Sequence, residues 1–443
     1  MARRIAVIGC GVSGLSTAWL LAGGNAVTVY EKAQRLGGHI NTVTADTPDG
    51  PVAVDTGFIV YNERNYPNLT ALFAHLEVKT AASDMSFSVS LDQGAMEYSG
   101  RHLNGLFGQR SNIIRIEHWR LVSDILRFFR EAERGLDTVS DEISIGKYLA
   151  DNGYSRAFIE DHILPVSAAI WSTPARAMLD FPARTFIRFF ANHGLLKVAN
   201  RPAWRTVIGG ARSYLDKLLA DRPFATVTDA GIRAVTRRDN GVELHFADGR
   251  RERFDQLVMA CAPGTALSLL GDADTEEQSV LGAFGRTVNR AVLHTDRRFM
   301  PRRKRLWTSW NYLRSGPAQE PDLSLTYWMN LLQPLKTRTD LFVTLNPGSD
   351  FAPGTVLAEI DYEHPLFDAS AIRAQQQMGR LQGRRRTWFA GAWMGYGFHE
   401  DGLQSGLEVA ERLGPDIRPW SRPGQRARIA HCWPEEGPMW AAQ

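Results

Sequence analysis

"RIAVIGCGVSGLSTAWLL", Arg4 to Leu21, opens the chain. Its first five residues suit a buried strand. Gly9, Gly11 and Gly14 then fall at G-x-G-x-x-G spacing, and a helical run follows. "AVTVYE", Ala26 to Glu31, reads as a second strand closed by an acid. A lone glycine match carries little. Strand, glycine turn, helix, strand and acid in that order specify a dinucleotide-binding unit. Gly9 permits the tight turn, Gly11 lets a pyrophosphate approach the backbone, and Gly14 lets helix and strand pack closely. The helix N-terminus offers unpaired N–H groups and partial positive charge to phosphate. Glu31 can accept hydrogen bonds from ribose hydroxyls. The same segment could pass for a signal peptide, but glycines at fixed spacing break its apolar run.

The rest of the composition fits such a unit. The chain has 443 residues, 44% hydrophobic and 22% charged, which is ordinary globular material and long enough for two or three units. With 51 basic and 48 acidic residues the balance gives no nucleic-acid signal. Cys10, Cys261 and Cys432 have no useful spacing, so neither a disulfide framework nor a zinc site is expected, and a reducing cytoplasmic setting fits. No window approaches the roughly 18 apolar residues of a membrane span.

Farther along, "IIRIEHWRLVSDILRFFREAERGL" places Ile116, Trp119, Val122, Leu126 and Phe129 on one helical face. "TVTDAGIRAVTRRDNGVELHFADGR" alternates like strands, with Asn240-Gly241 and Asp248-Gly249 as hairpin turns. "FDQLVMACAP" is a buried strand stopped by Pro263, and "LTYWMN" and "LFVTLNP" also read as strands. "FAGAWMGYGFHEDGLQSG", Phe389 to Gly406, reads as strand, loop and helix, the helix starting near Gly402 and ending at Leu413. Glu400 and Asp401 sit where N-cap carboxylates belong; capping is preferred over a metal site, which needs more ligands. The tail after Pro415 reads as an extended arm.

Several segments resemble, in order, the flavin-binding proteins of the monoamine oxidase, protoporphyrinogen oxidase and phytoene desaturase superfamily. "EKAQRLGGHINT" resembles the Arg-x-Gly-Gly-Arg stretch beyond the ribose glutamate, with His39 in place of the second arginine. "VDTGF" resembles the next flavin-facing turn, and "VIGGARSYLDKLL" the glycine turn and helix before the adenine-side strands. The Phe389 to Gly406 stretch resembles the last cofactor element, with Ala392 where many relatives carry an acid. The resemblance implies an α/β fold: a Rossmann-like FAD domain, discontinuous over 1–70, 201–270 and 376–415. A mixed α+β substrate domain is inserted at 71–200 and 271–375, and 416–443 forms a C-terminal arm. It implies FAD, held by Gly9, Gly11, Val12, Ser13, Gly14, Glu31, Lys32, Gly37, Gly38, His39, Thr56 and Gly57; non-covalent binding is expected because the motifs place Cys10 and Cys261 on cofactor-domain strands or turns rather than beside the flavin, and Cys432 in the tail. Ile232 would bracket the adenine, and Gly391, Ala392, Trp393, Gly402 and Leu403 would lie at the flavin.

On the substrate side, amine oxidases of this superfamily keep a lysine near the flavin. "VLHTDRRFMP" is the matching text, and Asp296 stands at that position. Asp296, or His294 two residues earlier, is therefore the expected catalytic base, with an acid's pKa raised by burial. Trp171, Trp307, Trp310, Trp328 and Trp393 suggest an aromatic pocket for a lipophilic substrate. Phrases such as "NHGLL", "SWNY" and "GFHEDGLQSG" resemble a bacterial group that accompanies cyclopropane-fatty-acid-synthase-like lipid methyltransferases. That resemblance implies desaturation of a methylated fatty acyl chain, with a lipid methyltransferase as partner. Amine oxidation, double-bond isomerisation and a non-catalytic flavin-bound partner role are the alternatives. The basic run "RRFMPRRKR" and the amphipathic helix lead to an expectation of peripheral contact with the inner face of the membrane.

Overall fold

Arg4–Ile8 is the middle strand of a five-stranded parallel sheet, ordered Ala225–Val227, Ala26–Tyr30, Arg4–Ile8, Gln256–Met259 and Thr387–Phe389. The protein is seen in a computed structural model that describes residues 2–136, 139–140, 143–171, 175–197, 201–315 and 322–433. Ile8 pairs with Tyr30 on one side and Met259 on the other, and Met259 pairs with Phe389. All these strands therefore end at one edge. Gly9, Glu31, Ala260 and Ala390 each donate a backbone N–H across that edge, to Tyr30, Val227, Ile8 and Met259 respectively. The carboxyl edge of such a sheet is where ligands of α/β proteins sit.

The first helix, Val12–Leu21, and the last, His399–Leu413, lie against each other. Glycine sets their spacing. A Cβ on Gly406 would stand 2.2 Å from the Ser13 carbonyl oxygen, and one on Gly402 would stand 2.7 Å from Val12 Cγ1. The Thr17 hydroxyl reaches across to the Gly406 carbonyl at 3.0 Å. The last helix begins three residues before Gly402, because the Asp401 carboxylate accepts the Phe398 N–H at 2.8 Å and closes the first turn there.

A second, seven-stranded sheet is mixed. Its order is Val356–Leu366, Gly285–His294, Phe342–Leu345, Asp322–Trp328, Trp310–Ser315, Phe87–Leu91 and Met96–Ser99. One pair, Trp310–Ser315 with Phe87–Leu91, is parallel and the others are antiparallel. A helical layer including Ile116–Glu131 and Ala183–Asn192 packs a separate aromatic core on it. Asn240-Gly241 and Asp248-Gly249 make the expected hairpins around the strand Gly241–Phe246. The fold is thus α/β, a parallel dinucleotide-type sheet joined to a mixed sheet-and-helix region.

Two expectations are corrected here. The tail is no extended arm. Arg418 makes a bidentate bond to the buried Glu411, Arg428 reaches Asp401, and Ile429 and Cys432 enter the main core. Residues 434–443 of that arm lie outside the described residues. The helix Ile116–Glu131 buries His118, Leu121, Val122, Ile125 and Phe128. Of the apolar face read from the sequence, Val122 is turned inward, while Ile116, Trp119 and Leu126 stay exposed. The face that packs is set about one residue away, because this helix meets its neighbours through its other aromatic and aliphatic positions.

Candidate functional site

A cavity of about 530 Å³ opens between the carboxyl edge of the parallel sheet and one face of the mixed sheet. At the parallel-sheet end its wall is the glycine turn. Gly9 has φ +104, and a Cβ there would strike the Ala260 carbonyl oxygen at 2.6 Å. Gly14 would strike Gly9 at 2.0 Å. Gly11 differs: a Cβ there would meet nothing within 4 Å, because its face is open to the cavity. No side chain caps this helix start, so its first N–H groups remain available. Phe398 and His399, which begin the last helix, line the same cavity. Two helix N-termini thus converge on it: the first is uncapped and favours negative charge, while the second already holds Asp401 in its first turn.

Glu31 closes the adjoining strand. One oxygen accepts the Cys10 N–H at 3.1 Å and the other the Ala33 N–H at 2.9 Å, which fixes the carboxylate and leaves lone pairs outward. Gly37 and Gly38 take positive φ, and a Cβ on Gly38 would lie 3.1 Å from the Gly11 Cα. The next turn interlocks with this one. Thr56 and Phe58 donate backbone N–H groups to the carbonyls of Asn41 and His39. Asp55, fully buried, holds the turn from behind by accepting from the Thr42 hydroxyl, the Ala211 N–H and the Gln333 amide.

Of the residues singled out from the sequence, Gly11, Val12, Ser13, His39, Thr56, Gly57, Gly391, Ala392 and Trp393 line the cavity. Gly9, Gly14, Gly37 and Gly38 shape its floor from behind. Glu31 and the exposed Lys32 lie beyond it at the sheet edge. Ile232 starts a strand paired with Phe246, outside the cavity wall. Gly402 and Leu403 are buried in the last helix, where Gly402 serves the contact with the first helix. Glu400 and Asp401 are both caps. Asp401 caps its own helix, and Glu400 accepts the N–H groups of Asn68 and Leu69 at the start of the helix Pro67–His75.

Asp296 and His294 are not in this site. Gly285 and Arg286, at the start of the strand Gly285–His294, line the cavity, whereas His294 ends it. Nine residues of strand separate the two ends by roughly 30 Å. Asp296 accepts from Arg298 through two side-chain nitrogens and from the Ala352 N–H. The Arg298 guanidinium holds its carboxyl down at about 2, so the expected raised pKa is reversed. His294 is packed among Phe299, Phe342 and Phe351. Of the five tryptophans, Trp310 and Trp393 reach the cavity; Trp307 and Trp328 pack on each other, and Trp171 belongs to the aromatic core.

Other histidines occupy the place. His39, His364 and His399 all line the cavity. Burial holds them neutral, His39 at about 4 and the other two at about 3. His39 stacks on Tyr362 at 4.9 Å and meets His364 edge-on at 5.1 Å. Its Nε2 is buried with no partner. His399 stacks on Phe58 and bonds the Tyr214 hydroxyl. The tautomer of His364 follows from a relay. The Arg290 backbone N–H donates to the Asn346 side-chain Oδ1 at 3.1 Å, so the Asn346 Nδ2 donates to Asn289 Oδ1 at 2.7 Å. The Asn289 amide must then donate to His364 Nδ1 at 2.9 Å, leaving the His364 proton on Nε2. Tyr362 and His364 stand two apart on the strand Val356–Leu366, so strand alternation could have placed them together.

The remaining wall is apolar: Phe58, Ile59, Phe284, Trp310, Tyr327 and Leu345 contribute most of it. Among the described residues Glu363 is its single carboxylate, and it is paired with Arg286 at 2.9 Å. No lysine lines it.

Comparison with known proteins gives the same picture of the fold. The profile of the flavin containing amine oxidoreductase family matches residues 12–333. The structure is similar to that of a CLA-producing fatty acid isomerase from P. acnes, with TM-score 0.64, 16% identity, and 93% of this chain and 98% of that one covered. It is similar to putrescine oxidase bound to putrescine, with TM-score 0.65, 14% identity and coverage of 93% and 99%. A protein designated a protoporphyrinogen oxidase from Exiguobacterium sp. 255-15 has TM-score 0.67, 16% identity and coverage of 93% and 99%.

Proposed function

The chain belongs to the flavin containing amine oxidoreductase family, and we propose that it oxidises a lipophilic acyl chain with non-covalently bound FAD. The residues present fit the cofactor. Gly11 is open where a pyrophosphate would approach, two helix N-termini face the same space, and Glu31 is fixed with lone pairs outward. The orphan Nε2 of His39 lacks the polar partner that a buried nitrogen requires. Gly9, Gly11, Val12, Ser13 and Gly14 would hold the phosphates, Glu31 the ribose, and His39, Thr56, Gly57 and Gly391 to Trp393 the flavin end. The three cysteines form no part of the attachment in this reading: burial pushes the Cys10 and Cys261 thiols up to about 12, so neither is a ready nucleophile.

A flavin bound there supplies two-electron chemistry, accepting a hydride from a substrate C–H bond. The protein must then exclude water and take up the proton from the neighbouring carbon. The aromatic wall does the first. For the second, His39 carries the lone ring nitrogen of the three that is buried and without a partner. It is neutral at pH 7 and burial holds it at about 4, so it would take up a proton only as negative charge develops beside it, which reduction of a flavin bound there would supply. His364, with its proton on Nε2, is a hydrogen-bond donor beside His39.

One observation carries the substrate class. The cavity is largely apolar and its single carboxylate is already paired with Arg286, so it offers an ammonium no free carboxylate. A neutral acyl chain, such as a methylated fatty acyl chain, suits it better than an amine. The test is anaerobic mixing of the purified yellow protein with fatty acyl chains and, separately, with putrescine or cyclohexylamine. Bleaching by acyl chains alone is expected. Bleaching by the amines alone would overturn the substrate class. A changed lipid product without net bleaching would identify an isomerase, and an unaltered lipid would leave a non-catalytic flavoprotein.

A further inference from the structure

Among the described residues, five of the ten exposed large hydrophobic side chains fall between Ile113 and Leu126. Ile114 is 85% exposed, Ile116 66% and Trp119 51%. The core does not need them, because the inner side of Ile116–Glu131 is filled by His118, Leu121, Val122, Ile125 and Phe128. Nor are they loosely held. The Trp119 indole N–H donates to the Ile113 carbonyl at 2.8 Å, and its ring packs on Phe107 at 4.8 Å. The result is a fixed apolar platform at a helix entry, and a patch of this kind on a protein surface marks a contact site.

Its surroundings are mostly cationic, with the exposed Glu117 the one acid in the first turn of this helix. Arg110 and Arg115 flank the platform, their guanidiniums bonded to carbonyl or amide oxygens, and the exposed Arg120 lies on the same helix. The basic run meets it through the edge strand Met96–Ser99. Asn112 donates to the Glu97 carbonyl at 3.0 Å, while the Glu97 carboxylate accepts from the Arg302 N–H and the Arg303 guanidinium. Leu306 sits directly against Gly108. Segments far apart in sequence thus bring Arg302, Lys304 and Arg305 beside the platform. None of these three, nor Arg110, Arg115 or Arg120, makes an ion pair among the described residues.

We propose that this platform, Ile113, Ile114, Ile116 and Trp119 with its arginine and lysine rim, seats the protein on an anionic lipid bilayer surface. Apolar side chains enter the headgroup and acyl boundary, tryptophan suits that depth, and unpaired cations meet anionic headgroups. No helix among the described residues is long and apolar enough to cross a membrane, so the contact is at the surface. The inference is independent of which substrate the cavity takes.

The experiment is flotation of the full-length, flavin-loaded protein with vesicles of phosphatidylcholine alone or mixed with phosphatidylglycerol. The protein should float with the anionic vesicles and detach at high salt. Ile114→Glu/Ile116→Glu and, separately, Arg115→Glu/Arg120→Glu should each lower vesicle-bound protein by about tenfold or more. All four side chains are exposed, so flavin content and melting temperature should stay at wild-type values. Ile417→Glu, which alters an exposed isoleucine elsewhere, should float normally. Failure of the wild-type protein to float at low salt, or normal flotation of Ile114→Glu/Ile116→Glu, would overturn the proposal. So would a dimer in sedimentation that this double variant dissolves, since the platform would then be covered by a second copy.

Discussion

His39 stands where the related glycine-rich stretch has an arginine, and the exchange changes what the position can do. A guanidinium is a fixed cation, whereas this imidazole is kept neutral by its enclosure and keeps an unpartnered Nε2. His39→Phe should keep the stacking on Tyr362 and weaken FAD binding, and in the FAD-saturated variant slow flavin bleaching by substrate on the order of a hundredfold, the usual scale of a lost general base. Stopped-flow absorbance measures it, and a wild-type rate would remove His39 from the chemistry. Gly11 offers a different separation. A side chain there has room in the protein but enters the cradle, so Gly11→Val should purify colourless and melt like the flavin-free wild-type protein. Retained full FAD occupancy would contradict the cradle assignment. Asp296, by contrast, is a structural acid. Its folded pKa is held below the ordinary value near 3.8, so its stabilisation is complete above that value and lost as pH falls toward 2. Asp296→Asn should lower the melting temperature at pH 7, converge with wild type near pH 2, and leave flavin reduction unchanged.

The first and last helices act as one element, and the glycines between them serve packing as much as binding. The sequence marks Gly402 and Gly406 through a motif, but their physical cause is the approach of Val12 and Ser13. Gly406→Ala should force the helices apart, cost about 2 kcal/mol or more, and weaken FAD binding by displacing the glycine turn. Equilibrium unfolding and flavin titration would show both effects; a neutral result would mean the contact is slack. The tail locks the same pair from outside. Arg428 faces the fully buried Asp401, and its other terminal nitrogen bonds the Asn65 carbonyl. Arg428→Ala leaves that carboxylate buried without its cation, a loss of roughly 3 kcal/mol or more. Denaturant unfolding of the variant checks it, and wild-type stability would show the tail to be dispensable.

Across the whole molecule, neutral histidines set the acid limit. His39, His162, His193, His364 and His399 all titrate below the ordinary value near 6.5 because burial disfavours their charge. Below that value the unfolded chain binds protons that the folded chain refuses, so these histidines lower stability as pH drops from about 6.5 toward 4 and 3, partly offset by Asp55, Glu400 and Asp401, whose carboxyls burial pushes up. A melting temperature that stays flat across that interval would refute this account. How much of this could be read beforehand follows from locality. The glycine turn, the strand ending at Glu31, the two hairpins and the strand-loop-helix after Phe389 are set by dihedral demands and periodicity within a few residues, so the sequence determined them and with them the dinucleotide-type sheet. Its reading of the substrate side failed at Asp296. A motif match along one strand cannot tell which end of that strand meets the cavity, and here Gly285 and Arg286 reach it while His294 lies at the far end. The cavity histidines come from three segments that share no local pattern. Only the packing of the mixed sheet against the glycine turns brings His39, His364 and His399 together, and only burial makes them neutral. The tail shows the same division: its arginines are plain in the sequence, but whether they meet water or Glu411 and Asp401 is decided by the chain folding back, a contact no local rule contains.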